Sequence, residues 1–425
     1  MKPKEGNCAM ESKSLNRGLG AARAAKQDEF YTQYVDIQKE VEAYLEFDSD
    51  TFRGKVVYCN CDDPFESNFF KYFAANFNKL GLKKLITTSY DGSPIAGQGT
   101  LFPEYNEGNG KRQKPKALAI ALDHVKDEDG DGAANVTDVE LFLKRNKAAR
   151  TALKGNEKYP GGDFRSPECI DLLKEADIVV TNPPFSLFRE YVAQLVEHGK
   201  KFLIIGNVQA ITYKDVFPLI KADKLWMGVT IHSGDREFRV PDHYPMNAAG
   251  SRVDENGVKY IRVKGVRWYT NLDHGRRHEK LNCMTIERNL RFSKHKEING
   301  KTAYGRYDNF DAIEVPFTDA IPSDYDGTMG VPITFLDKYN PDQFEILGIT
   351  KTWHGGASKT YPMQTQVNKD GSESLVSKLN DGPVVKVSGR PTSQTYYRVG
   401  TDNFIQLYAR VLIRRRSRPA KGKTT

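Results

Sequence analysis

Five short apolar runs recur through the first half of the chain, each framed by polar residues: KVVYCNC (55–61), KKLITTS (83–89), KALAIALDHV (116–125), ADIVVTN (176–182) and KKFLIIGNV (200–208). Runs of this length, apolar without strict polar alternation, read as strands buried on both faces. Between them lie stretches with apolar residues at helical spacing: SNFFKYFAANFNKLG (67–81), VTDVELFLKRNKAA (136–149) and SLFREYVAQLVEHG (186–199). Strands alternating with amphipathic helices build a doubly wound, mostly parallel α/β sheet of Rossmann-like type, whose ligands bind beyond the carboxyl ends of the strands. After about residue 225 the pattern shifts to short β-like pieces. SRVDENGVKYIRV (251–263) reads as a hairpin closed by Asn256-Gly257. From about residue 290 the chain turns rich in Gly, Ser, Asp and Tyr, the texture of a smaller, loop-rich second domain. The expected organisation is therefore residues 1–27 disordered, 28–290 the large α/β domain, 291–409 a C-terminal contact region and 410–425 a basic tail.

Composition narrows this picture. A chain of 425 residues is too long for one average domain, and 39% hydrophobic residues suffice for a core. The cysteines number five, odd and mostly scattered, which argues against a disulfide framework and for a reducing compartment. No apolar run reaches the length of about 18 residues that a membrane span needs, and the N-terminus lacks the apolar core of a signal peptide. A soluble, cytoplasmic protein is expected.

Charge points to nucleic acid. The chain carries 63 basic and 55 acidic residues, a net +8. Residues 410–425 alone hold five Arg and two Lys with no acid, so nearly the whole excess sits there. Arg414, Arg415 and Arg416 are thus candidates for phosphate contact, the alternative being a solvated end. Two further basic stretches join them. The Gly-rich segment 91–116 ends in Lys111, Arg112, Lys114 and Lys116, and HGRRH (274–278) carries Arg276 and Arg277; each reads as a DNA-facing loop or as plain surface. DEDGDGAANVTD (127–138) sets Asp127, Asp129, Asp131 and Asp138 at calcium-loop spacing, with Asp where the twelfth position usually has Glu. An acidic turn capping the next helix through Thr137 or Asp138 is the simpler reading, and no resident metal is expected. Trp268 and Tyr269 read as core aromatics.

The chemistry concentrates behind the fourth apolar run, where Asn182, Pro183, Pro184 and Phe185 follow directly. Proline cannot donate to a strand ladder, so the pair stops the strand and displays what flanks it. The Asn182 amide oxygen can accept one hydrogen of an amino group, the Pro183 carbonyl the other, and Phe185 can cover the face of a flat ring. Fixed acceptors of this kind stabilise positive charge growing on an exocyclic amine as it attacks an electrophilic methyl group. No strong general base is then required.

This tetrad resembles the catalytic motif of amino-group methyltransferases, and the wider chain resembles the EcoRI-type adenine-specific DNA modification methylases. The segments that carry the resemblance are DEFYTQYVDIQKE (28–40), VVYCNCDDPFESNFFKYF (56–73), GGDFRS (161–166), VVTNPPFSLF (179–188), VRWYTNLD (266–273), YDNFDAIEV (307–315) and GVPITFLDKYNPDQFEILG (330–348). It implies a methyltransferase fold that uses S-adenosylmethionine, rotates a target adenine out of duplex DNA and methylates its N6 amine, as a monomer with or without a partner restriction endonuclease. Carried over, it places Phe30, Tyr31 and Thr32 beside the methionine part of the cofactor. Asn60, Asp62, Asp63, Pro64 and Phe65 fall in the cofactor loop after the first strand, and Asp163 and Phe164 at the cofactor adenine. Two departures stand out. Ser67 and Phe69 occupy the places where the usual loop has glycines, and no ribose-binding acid follows the second strand, Asp91 being the nearest candidate. A protein glutamine-amide methyltransferase and a catalytically silent DNA-binding protein of the same fold stay open as alternatives.

Overall fold

A computed structural model describes residues 32–61, 67–90, 117–132, 135–145, 150–232, 234–240, 246 and 250–416. Phe30, Tyr31, Asp62, Asp63, Pro64, Phe65, Asp91, the Lys111–Lys116 group and the segments 1–27 and 417–425 lie outside the described residues. By packing, the chain divides into two compact units: residues 1–41, 49–207 and 233–266, and residues 42–48, 208–232 and 267–425.

The first unit is built on six strands, β1 (Val56–Cys59), β2 (Lys84–Thr88), β3 (Leu118–Leu122), β4 (Arg150–Ala152), β5 (Ile178–Thr181) and β6 (Lys201–Asn207), in the order β4-β3-β2-β1-β5-β6. β2, β1, β5 and β6 are parallel, whereas β3 and β4 join antiparallel at the edge. Every residue of β1 and β5 is buried, as their unbroken apolar sequences require. The helices include α1 (Tyr34–Phe47), α2 (Asn68–Ala75), α3 (Val136–Arg145), α4 (Pro167–Glu175) and α5 (Phe188–Glu197), of which α2, α3 and α5 fall on the stretches that the periodicity marked. α2 connects β1 toward β2, and α5 connects β5 to β6, the crossover arrangement that parallel neighbours demand. The hairpin expected at 251–263 forms, with Val253 opposite Lys259 and Gly257 at φ +78°.

The second unit holds a four-stranded sheet of segments 313–314, 329–332, 410–415 and 344–349, and a five-stranded antiparallel sheet within 364–406. Tyr361, Leu379, Val384, Tyr397 and Phe404 form a core beside the latter. Residues 410–415, the first part of the stretch read as a basic tail, are a strand between two others of the four-stranded sheet, because Val411 and Ile413 alternate inward. In the division by packing, residues 267–290 are grouped with this unit, whereas the α/β domain was expected to extend to 290. Arg276 donates to the Asp337 carbonyl at 3.1 Å, Asn340 to that of Glu279 at 3.1 Å and Gln343 to that of Leu281 at 2.8 Å.

Candidate active site

The carboxyl ends of β2, β1 and β5 meet in a chain of buried polar side chains. Tyr58 hydroxyl lies 3.2 Å from Thr88 Oγ1, which donates to Asn60 Oδ1 at 3.0 Å. The Asn60 carbonyl in turn accepts the Thr181 hydroxyl. Tyr58, Thr88, Asn60 and Thr181 are all at most 1% exposed. Burial pushes the Tyr58 phenol well above its ordinary range, so it stays neutral and can donate into the chain. Asn60 Oδ1 also accepts the Cys61 N–H at 2.8 Å, and Cys61 holds φ +62°, a conformation side chains other than glycine rarely adopt. The turn that opens the expected cofactor loop is thus set by Asn60.

Directly after Thr181 comes the tetrad. Asn182, Pro183 and Pro184 are buried and Phe185 is half-buried. Phe185 opens a 3₁₀ turn (Phe185–Leu187) whose Leu187 N–H donates to the Pro184 carbonyl at 2.9 Å. Among the described residues no backbone N–H reaches the Pro183 carbonyl. The acceptor that the sequence assigned to an amine is therefore the one the backbone leaves over. α5 begins at Phe188, whose ring lies where a side chain on Gly206 of β6 would have to stand, 2.5 Å from its Cβ position. Gly206 lets that helix seat against the sheet.

Thr32, Asp163 and Phe164 are the other expected cofactor residues among those described. Thr32 precedes α1; Asn68 Nδ2 donates to its carbonyl at 2.7 Å, tying the N-terminal motif to the start of α2. The Thr32 hydroxyl is buried and, among the described residues, without a hydrogen-bond partner. Ser67, at one of the two departed glycine places, caps α2 by accepting from Phe69 N at 3.1 Å and Phe70 N at 3.4 Å. Phe69, at the other, is a core residue at 1% exposure. Glycine is absent there because the helix has already begun. Asp163 and Phe164 follow Gly161 and Gly162, which are pressed against the Leu153 and Ser89 carbonyls. Asp163 is gripped by Arg165, Nε to Oδ1 at 2.9 Å and Nη2 to Oδ2 at 2.8 Å. Arg165 also bonds Glu190 of α5 at 2.8 Å, and Gln194 of α5 donates to the Phe164 carbonyl at 3.1 Å. Sequence reasoning missed Thr88, Thr181, Gly162 and Arg165. Only the Gly-Gly pair before Asp163 offered a signal.

The basic candidates of the second unit are engaged within it. Arg277 is buried, ion-paired to Asp223, with its guanidinium 3.7 Å from the Trp226 ring centroid. Arg276 reaches the Val229 carbonyl at 3.3 Å and His232 Nε2 at 2.6 Å. Arg414 pairs with Glu345 at 2.8 Å, Arg416 donates to the Pro341 carbonyl at 2.6 Å, and Arg415 lies 5.8 Å from the Phe344 ring. Trp268 and Tyr269 are core aromatics, as expected.

In the acidic loop, Asp127, Asp129 and Asp131 bring carboxylate oxygens within 4.8 Å of one another, all exposed. Asp138 is turned away from ligand duty: its oxygens accept from Asn135 N at 2.6 Å and Glu128 N at 2.6 Å. Asn135 Oδ1 accepts from Thr137 N at 2.7 Å, so the two side chains cap α3 reciprocally. The hydrogen bond from the Asn135 N–H, joined by those from Glu128 and Asp129, outweighs the upward push of burial and leaves the Asp138 carboxyl below its ordinary range.

A doubly wound sheet that ends its third parallel strand in a buried Asn-Pro-Pro and a half-buried Phe defines a methyltransferase of the Rossmann-like class. Residues 18–416 match the family model described as adenine-specific methyltransferase EcoRI, and the chain belongs to that family. It is 45% identical over 348 residues to the Type II methyltransferase M.EcoRI of Escherichia coli, covering 80% of this chain and 92% of that one. It is 36% identical to M.MgeORF184P of Mycoplasma genitalium (77% and 84% covered) and 35% identical to M.MpnI of Mycoplasma pneumoniae (77% and 83% covered), both Type II methyltransferases. No solved structure matches the chain.

Proposed function

We propose that this protein transfers the methyl group of S-adenosylmethionine to the N6 amine of an adenine rotated out of duplex DNA, as a site-specific modification enzyme. The observation that carries the reading is the placement of Asn182, buried at the end of β5, with the Pro183 carbonyl left over beside it and Phe185 half-exposed on the next turn. The cofactor, when bound, supplies an electrophilic methyl group. Thr32, with its buried hydroxyl in want of a partner, and the Asn60-Cys61 turn fit such a ligand, and Asp163 and Phe164 would meet its adenine. Asn182 Oδ1 and the Pro183 carbonyl would hold the two amine hydrogens, keeping the nitrogen lone pair aimed outward, while Phe185 stacks on the base. The names of the bacterial relatives support a restriction–modification setting, in which a partner nuclease cuts the unmodified site. We read the enzyme as a monomer of the cytoplasm; no helix among the described residues is long and apolar enough to cross a membrane.

The test is Asn182→Ala, assayed by tritiated methyl transfer to DNA and nucleoside analysis, with cofactor binding followed by calorimetry. Loss of one preorganised acceptor lowers turnover by about a hundredfold to a thousandfold, with cofactor binding kept. Transfer at the parental rate, or label on cytosine or protein, would overturn the assignment.

A further inference from the structure

We infer that residues 286–301 form a surface for the phosphate backbone of the substrate DNA, a placement that rests on the DNA reading above. The segment comprises a short helix, Ile286–Phe292, and the turns that follow. Its inward side is fully committed. Asn289 is buried and donates to the Ala320 carbonyl at 3.2 Å, Ser293 and Ile298 are buried, and Gly300 N donates to the Leu290 carbonyl at 2.8 Å. Thr285 caps the helix and Asn299 Nδ2 donates to the Ser293 carbonyl at 2.7 Å. The backbone is therefore pinned, and its outward side is fixed with it.

That outward side is basic. Arg288, Arg291, Lys294, Lys296 and Lys301 are all exposed, against two acids on the segment, Glu287 and Glu297. Lys294 meets Asp319 at 2.8 Å with its side chain 75% exposed, a pairing weak enough to exchange for a phosphate. Arg288, Arg291, Lys296 and Lys301 have no carboxylate partner among the described residues. Phe292 is 61% exposed beneath the Arg291 guanidinium, so the face also offers apolar area of the kind an interface covers. The contrast with the other basic stretches decides the matter. Arg276 and Arg277 attracted notice by their charge in the sequence, yet each is held by a carboxylate, a carbonyl or a ring of its own unit. Here the cations are presented on a rigid frame and left available. Such contacts carry affinity without sequence information.

The experiment compares the full-length protein with a variant carrying Arg288→Gln, Arg291→Gln, Lys296→Gln and Lys301→Gln. Binding to duplexes of unrelated sequence is measured without cofactor across a salt series. Each lost phosphate contact lowers the slope of log affinity against log salt by about 1, so a drop of roughly 4 is expected for the four substitutions, with weaker binding to all sequences alike. A control with equal charge loss on the five-stranded sheet and its connections, Lys369→Gln, Lys378→Gln, Lys386→Gln and Arg390→Gln, should keep the parental slope. Parental affinity and slope in the first variant overturn the placement, and so does an equal loss in the control. A parent protein that binds no DNA would instead sink the substrate reading itself.

Discussion

Gly162 offers a test of the frame that holds the expected cofactor contacts. Its φ is +79°, and a methyl group placed there would stand 1.9 Å from the Ser89 carbonyl oxygen and 2.8 Å from the Tyr90 Cα. Both neighbours are backbone at the end of β2, so neither can swing aside. Gly162→Ala therefore suffers two penalties: about 1–2 kcal/mol for left-handed backbone with a side chain, and about 1–3 kcal/mol for overpacking. Gly199, just past α5, separates the two. It holds φ +62° with nothing within 4 Å of its Cβ position, so Gly199→Ala incurs the backbone penalty alone. Equilibrium urea unfolding should place Gly162→Ala about 1–3 kcal/mol below Gly199→Ala. Because Asp163 and Phe164 follow at once, S-adenosylmethionine binding by calorimetry should weaken in the first variant only. Equal stability loss in the two, or unchanged cofactor affinity in Gly162→Ala, would refute the reasoning.

Thr181→Val removes the hydroxyl that ties β5 to the Asn60 carbonyl and should lower kcat by roughly tenfold to a hundredfold through misplacement of Asn182, while cofactor Kd holds and Thr181→Ser restores the rate; parental kcat in the valine variant would show the bond to be idle. Ser67→Ala should cost about 1 kcal/mol in urea unfolding through loss of the α2 cap, whereas Ser67→Gly should cost only a few tenths. His274 is buried, with Nε2 3.0 Å from the Met227 carbonyl and no partner for Nδ1 among the described residues; burial brings its pKa down to about 4. Since the folded value lies below the unfolded one of 6.5, its stabilising share is present above pH 6.5 and is lost as pH falls toward 4. That share is about 3 kcal/mol, and His274→Gln should flatten the pH dependence of unfolding in this window.

The parallel sheet was legible because β1, β2, β5 and β6 each carry consecutive apolar residues without polar alternation, a pattern set by burial on both faces. The tetrad was legible because two prolines after such a run leave one geometric option. The interactions among strand ends were not. That Asn60 meets both Thr88 and Thr181 depends on β1 lying between β2 and β5, a strand order no local pattern encodes. Nor could charge alone separate the roles of the arginines: Arg277 and Arg291 look alike in sequence, and only the positions of Asp223 and Trp226 commit the former. Ser67 shows the reverse case, where a family loop pattern suggested a missing glycine and the local sequence already held a helix cap.

The strand-end chain also bears on how the reaction should respond to pH. The groups that meet there are amide, hydroxyl and main-chain carbonyl, and none of Asn60, Thr88, Thr181 or Asn182 titrates. Two titratable neighbours among the described residues, Tyr58 and Cys169, have their pKa values raised by burial, away from the range in which they would ionise at neutral pH. A clamp made from such groups presents the same acceptors at pH 6 as at pH 9. The onset of acid sensitivity should then follow the folded fraction, which His274 begins to erode below its unfolded pKa, and not the chemistry at Asn182. A turnover rate that falls with acid while the protein stays fully folded would place a titrating group in the reaction after all, and the amide-and-carbonyl account of the clamp would have to yield to one with a base.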